Sequence, residues 1–290
     1  LDLGRPERLT VAMTTYNFKS IFAWNIYLYT GFMVIVAAYL FVMMDRVMSK
    51  QSALYKSMGW LAFIWRLILT TGTGSIFGFL IARDTFSGAI MAPLFISASF
   101  IYGLSFTVLV LITICRATGQ VLMTDEMVRN FRMLLIVFAL AVLYFTAIQH
   151  LVKLYAAEYQ GPEWFILRDG GLYTALFWLG HGGRGSVAPV VILSLPGLGT
   201  TRAGLTLASL VALIGGLAFV YVTIIGGQAY PMTLFPGMQV SSSALDGVVA
   251  PYWPSLPEVM LGVGGVSIAM FIAGVAFKLM PFLPAQQQSE

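Results

Sequence analysis

Cysteine and histidine are scarce in this chain: one cysteine, Cys115, and two histidines, His150 and His181, in 290 residues. A lone thiol closes no intrachain disulphide and holds no iron–sulphur cluster by itself. Charge is scarce too, at 10% of residues, where a soluble domain carries roughly 25%. With 59% hydrophobic residues and a mean hydropathy of +0.86, an ordinary soluble domain is excluded. The pI of about 9.2 comes without any basic run, so the lysines and arginines scattered over the loops read as ordinary loop charge of a membrane protein, with no nucleic-acid partner. Repeats, low-complexity tracts and room for a soluble domain are also lacking, and residues 1–290 read as one integral membrane domain. The chain opens on Leu1 in a polar stretch without a visible signal peptide, which leads us to expect further residues upstream.

What is present is apolar length. Seven segments reach the roughly 20 residues that cross a bilayer: 20–44, 57–82, 87–115, 133–152, 171–195, 205–226 and 258–279. The expected fold is therefore an all-α polytopic transmembrane bundle with seven visible spans. Pro93 is a candidate kink in the third span, and Pro189 with several glycines interrupts the fifth. The connection 227–257 is too proline-rich to span and reads as a structured outer loop, and 284–290 as a polar tail. Eight lysines and arginines fall on one side of this topology and six on the other. By the positive-inside rule the C-terminus is cytoplasmic and the 227–257 loop lies outside.

Two ionisable residues sit inside the fifth segment, in Gly180-His-Gly-Gly-Arg-Gly185. The glycines match the dinucleotide pattern G-x-G-x-x-G, but that motif requires a strand before it and a helix after it in a βαβ unit, so it is rejected here. Small residues that let helices approach closely are the better reading, and Gly74 with Gly78 on the second segment read the same way. Packing leaves His181 and Arg184 unexplained. Arg66, about nine residues into the second segment, is counted to a similar depth. An ionisable group at membrane depth is costly and is usually paired, hydrated or functional. Proton relay through a hydrated cavity, bracing of a polar bundle core and an anion path are the readings that Arg66, His181 and Arg184 leave open. A shared haem is disfavoured, because His150 counts to the outer surface and His181 to about ten residues, roughly 15 Å, below it.

A second cluster gathers at the outer face: Arg83 and Asp84 in the tight second connection, then His150, Lys153, Tyr155 and Tyr159, with Tyr252 and Trp253 further on. Interfacial tyrosine and tryptophan are ordinary membrane-belt residues. A neutral histidine beside an Arg–Asp pair can also hydrogen-bond a quinone carbonyl and exchange its proton. His150, Arg83, Asp84 and Tyr159 are the quinone-binding candidates.

The opening Leu1-Asp-Leu-Gly-Arg-Pro-Glu-Arg8 resembles the Asp-Leu-Gly-Arg-Pro signature of the polysulphide reductase membrane-subunit family (NrfD/PsrC type). Ser20-Ile-Phe-Ala-Trp24, Gly72-Thr-Gly-Ser-Ile-Phe-Gly-Phe-Leu80, Ala92-Pro-Leu-Phe95 and Leu176-Phe-Trp178 leading to Pro189 continue the resemblance over most of the chain. The long 226–237 stretch is most like the ten-helix members, first the membrane subunit of the sulphite-reductase-associated Dsr complex and second the hydrogenase membrane subunit. The resemblance implies three more helices at the N-terminus. It also implies a subunit that is not catalytic alone and takes menaquinone as its substrate. Such a subunit carries no haem or iron–sulphur cluster of its own, and docks a ferredoxin-like iron–sulphur subunit on the outer face beside other membrane and cytochrome subunits. Sulphur metabolism and the prokaryotic cytoplasmic (inner) membrane follow from the same likeness. Family members often carry an acid near the position of His181, where a histidine can still relay protons. A secondary transporter or ion channel, and a passive membrane anchor, are the alternatives from other classes.

Overall fold

Apolar runs of this length form helices because hydrocarbon supplies no partner for backbone N–H and C=O groups. The computed structural model describes residues 6–45, 52–119, 123–232, 248–249 and 252–279, and these are helical throughout their long elements. Most of the signature at 1–8, the centre of the proline-rich connection (233–247, with 250 and 251) and the tail 284–290 lie outside the described residues. The chain forms two compact units, Leu1–Ala250 and Pro251–Glu290.

In the first unit a short helix α1 (Leu9–Thr14) precedes α2 (Ile21–Met44), α3 (Ser52–Gly78), α4 (Met91–Thr118) and α5 (Asp125–Tyr155). A re-entrant piece follows, α6 (Gln160–Trp164) running into a π-helical turn Phe165–Asp169. The fifth apolar segment is helical from 172 to 194 but not uniform: α7 (Leu172–Ala175), a π-helix Leu176–Val187, then α8 (Ala188–Ser194). Next come α9 (Arg202–Tyr221), a π-helical turn Val222–Gly226 and α10 (Gly227–Ala229). The second unit is α11 (Leu256–Leu279), apolar and exposed along its described length. Among the described residues, six stretches are long and apolar enough to cross a membrane: Ile21–Met44, Ala53–Gly78, Met91–Thr118, Asp125–Tyr155, Arg202–Ala229 and Leu256–Ala276. The remaining expected span, 171–195, is divided by its π-helix into shorter regular pieces.

Local chemistry explains the boundaries. Thr124 and Thr201 cap α5 and α9 by accepting from Met127 N and Gly204 N, each worth about 1 kcal/mol. α4 starts four residues later than expected, which moves Pro93 into the first turn, where its missing N–H removes no helical bond. The expected kink does not arise.

α3 packs between α2 and α4, α4 between α3, α5 and α9, and α9 against the π-helix 176–187. Glycine makes these approaches possible. Gly185 sits against the backbone of Gly215, and a Cβ on Gly180 would collide with Ala218. A Cβ on Gly74 would lie 2.8 Å from Ala92 Cα, and one on Gly78 2.7 Å from Gly88 O. One apolar core joins α4, α5, α8 and α9 through Ile101, Val108, Leu135, Leu193 and Leu205, among others. A smaller cluster of Phe165, Ile166, Tyr173, Phe177 and Val222 holds the re-entrant piece in place.

Candidate functional site

The connections after α3, after α5 and after α9 meet at one end of the bundle. Arg83 donates to Gln228 O at 2.8 Å, and Thr85 donates to Gly227 O at 2.7 Å. Lys153, only 2% exposed, donates to Asp84 O at 2.7 Å and to Thr85 O. These bonds fasten the 79–90 hairpin over the ends of α5 and α9. At the other end Arg132 donates to Leu193 O and Arg202 to Met123 O.

Beneath the fastened hairpin lies a cavity of about 60 Å³. Its polar lining includes Thr146, Gln149 and His150 on α5, Glu163 on α6 and His181 on the π-helix. Its apolar lining includes Phe86, Leu94, Phe177 and Phe219. Each of the three π-helical turns contributes: Ile166 from the first, Phe177 and His181 from the second, Val222 and Thr223 from the third. Such wide turns occur often at functional sites. Here the cause is local. Pro189 can donate to no earlier carbonyl and its ring crowds that of residue 185, while the glycines between 180 and 185 leave space for the extra residue.

Two hydrogen-bonded pairs face this space. His150 Nδ1 lies 2.5 Å from Glu163 Oε2, a carboxylate 3% exposed. His181 Nε2 lies 3.0 Å from the Thr146 hydroxyl, and its Nδ1 is buried with no hydrogen-bond partner among the described residues. The Phe177 ring stands between them, 4.7 Å from the His150 ring and 6.0 Å from that of His181. The Phe219 ring closes the far side of His181 at 4.7 Å.

This geometry corrects the depth count made on sequence. Thr146 is one helical turn from His150 on α5, so His181 lies about 6 Å along the helix axis from His150 instead of roughly 15 Å. The count failed because 160–169 is not a surface loop. Its buried Pro162, Glu163, Phe165 and Ile166 fold back over α5, which continues past His150 to Tyr155, so His150 is not at the surface. The histidines share one cavity instead of occupying separate layers.

The other candidates are distributed around it. Arg83 and Asp84 are half-buried in the hairpin above the cavity, and Tyr159 lies beneath the Lys153 ammonium at 5.8 Å. None of these three lines the cavity. Arg66 is exposed on α3 with its guanidinium 5.4 Å from the Phe32 ring, and Arg184 is exposed on the π-helix. The structure brings neither arginine to the cavity with His181. Beyond the hairpin end, Arg168 and Asp169 form an exposed pair at 2.9 Å that holds the Asp169 carboxyl below its usual range. Sequence reading missed Glu163 and Gln149. Glu163 sits in Gln160-Gly-Pro-Glu-Trp164, which reads as a polar connection. Its signal was the aromatic and aliphatic run that follows at 164–167, too apolar for a solvated loop.

Comparison with known proteins adds a family and two relatives. The family described as polysulphide reductase, NrfD matches residues 1–232. The Hdr-like menaquinol oxidoreductase integral membrane subunit of Archaeoglobus fulgidus is 27% identical over 293 residues, covering 100% of this chain and 72% of the relative. A putative dimethyl sulfoxide reductase membrane subunit of Halobacterium salinarum is 24% identical over 314 residues, covering 97% of this chain and 70% of the relative.

Proposed function

The chain belongs to the polysulphide reductase NrfD family, and from that premise we propose that it is the quinone-interacting integral membrane subunit of an oxidoreductase complex, with the His150–Glu163/His181 cavity as its quinone site. The observation that carries this is a membrane-embedded space in which two histidines and a buried carboxylate face aromatic walls. A quinone ring needs apolar walls for its carbon skeleton, polar atoms for its two oxygens, and groups that exchange protons as electrons move. All three are present. The cavity of about 60 Å³ has room for about two waters, so a ring enters as Phe86, Phe177 and Phe219 move apart.

Oxidation of a quinol breaks two O–H bonds and gives up two electrons and two protons. His150 is the group to take one proton. Glu163 on its Nδ1 fixes the ring and stabilises the imidazolium that forms, and the partly exposed edge of His150 returns the proton to the hairpin face. His181, oriented by Thr146, faces the second quinone oxygen. Arg83, Asp84, Lys153 and Tyr159 position the hairpin. Arg66 and Arg184 face outward, toward lipid or a neighbouring subunit. Menaquinone is the quinone we assign, supported by the menaquinol oxidoreductase named for one relative. The electrons pass to an iron–sulphur subunit docked at the hairpin end, and a sulphur compound is the substrate class of the whole complex. The setting is the prokaryotic inner membrane, with the hairpin end outside and the C-terminus cytoplasmic.

The test uses the complex purified with its partner subunits. We expect extractable quinone, reduction of an artificial acceptor by a menaquinol analogue, and loss of that turnover in His150→Phe. An intact complex that neither binds nor oxidises the quinol overturns the assignment. Solute flux into liposomes from the subunit alone replaces it with transport.

A further inference from the structure

Most hydroxyls on the spanning helices are occupied by their own backbone. Thr70, Thr73 and Ser97 donate to the carbonyl four residues earlier at 2.9, 3.0 and 3.0 Å. Three are not. Tyr102 and Ser105 on α4 and Ser209 on α9 are buried without a hydrogen-bond partner among the described residues, and both serines are 0% exposed. Leaving such groups unsatisfied is costly, and buried polar atoms without protein partners are where internal water binds. The one other buried side chain so described outside the cavity, Asn25, lies apart on α2 against Gly72.

The three occupy one seam, the α4–α9 interface. Tyr102 and Ser105 are one turn apart. The Tyr102 ring lies over Gly216, where a Cβ would come within 2.8 Å of it, and its centroid is 6.4 Å from that of Phe219. Phe219 is the ring that closes the cavity against His181, and the free Nδ1 of His181 is therefore at the head of the seam. Ser209 is two turns from Gly216 toward the opposite end. One turn further, Thr206 lines a second recess of about 260 Å³ with Cys115, Arg116, Met123 and Arg202. The small residues Ala212 and Gly216 keep side-chain bulk out of the seam. From Phe219 to Ser209 is about 15 Å along α9, half of a hydrocarbon core of about 30 Å.

We infer that this hydroxyl seam is a proton route joining the His181 side of the quinone cavity to the recess at the other membrane face. The inference rests on the quinone reading of the cavity. Of the two protons that leave when a quinol gives its two electrons, in two successive one-electron transfers, to the clusters of an iron–sulphur partner, one departs through His150 to the hairpin face. The other passes from the quinol oxygen to His181 Nδ1 and by exchange along Tyr102, Ser105 and Ser209, with water between them, to the Arg116–Arg202 recess. Quinone reduction runs the same exchange backwards. Redox turnover is thereby linked to proton movement at both faces.

The complex is reconstituted in liposomes with a pH-sensitive dye at each face, and a menaquinol analogue is the electron donor. About one proton per quinol is expected at the recess face. Ser209→Leu, which fills the seam, and Tyr102→Phe, which removes its first hydroxyl, should each lower that yield at least fivefold while the dissociation constant of a quinone analogue stays within twofold. Release of both protons at the hairpin face by the unaltered complex, or an unchanged yield in both variants that bind the analogue, overturns the route and leaves the quinone site standing. Absence of quinol oxidation in the unaltered complex overturns the site itself.

Discussion

His150 and Glu163 show how a site is made from residues that carry little signal alone. A carboxylate 3% exposed is sustained by a charge-assisted hydrogen bond, and His150 supplies it at 2.5 Å. Glu163→Gln keeps the shape of the side chain and removes its charge. Turnover with a quinol analogue should fall about 10²-fold, the lower end of what a positioned acid–base pair contributes, with near-normal binding of the analogue. Unchanged turnover would remove Glu163 from the proton step. Both histidines stand out in the sequence because there are only two of them in an apolar chain. Glu163 does not, because a polar residue between a glycine–proline pair and a tryptophan has no period to betray its burial. The arginines show the converse: Arg66 and Arg184 are conspicuous in apolar sequence, yet their long stems carry the guanidinium outward, away from the cavity.

Helix positions followed from apolar length, and each of the seven segments is helical. The departure from regular helix was only half visible. Glycines and Pro189 announced an interruption of the fifth segment, but a π-helix looks the same as a loop or a kink until the packing of α9 is known. Gly215 is where that packing is tightest, against Gly185. Gly215→Val should lower thermal stability in detergent by the equivalent of about 1–3 kcal/mol of overpacking, whereas Gly103→Ala, with no atom within 4 Å of the added methyl, should not. Equal melting temperatures for the two would contradict the close approach. The hairpin 79–90 depends on Lys153. Lys153→Met leaves the carbonyls of Asp84 and Thr85 without their buried donor, a loss of about 1–3 kcal/mol. Amide hydrogens of the hairpin should then exchange faster than those of α4 and α5, and equal protection would show the clamp to be dispensable.

For the molecule in its membrane, the three connections that meet over the cavity define one face, and the orientation we propose puts that face outside. In a Cys115→Ser background, a membrane-impermeant thiol reagent added to whole cells should label Tyr155→Cys, at a position 92% exposed, and spare Arg129→Cys at the opposite end. The reverse pattern inverts the topology and moves the docking face we propose to the cytoplasm. By itself the sequence determined the class of structure: an apolar chain of this length must satisfy its backbone internally in lipid, so it becomes helices, and its few ionisable residues mark candidate positions for a site. Only the tertiary structure decided which of those residues meet. Depth counted along a chain assumes straight helices that begin at the surface. The continuation of α5 past His150 and the re-entrant α6 packed over it break that assumption, placing His150 within about one turn of His181, seating Glu163 against His150 and leaving Arg66 and Arg184 outside the cavity.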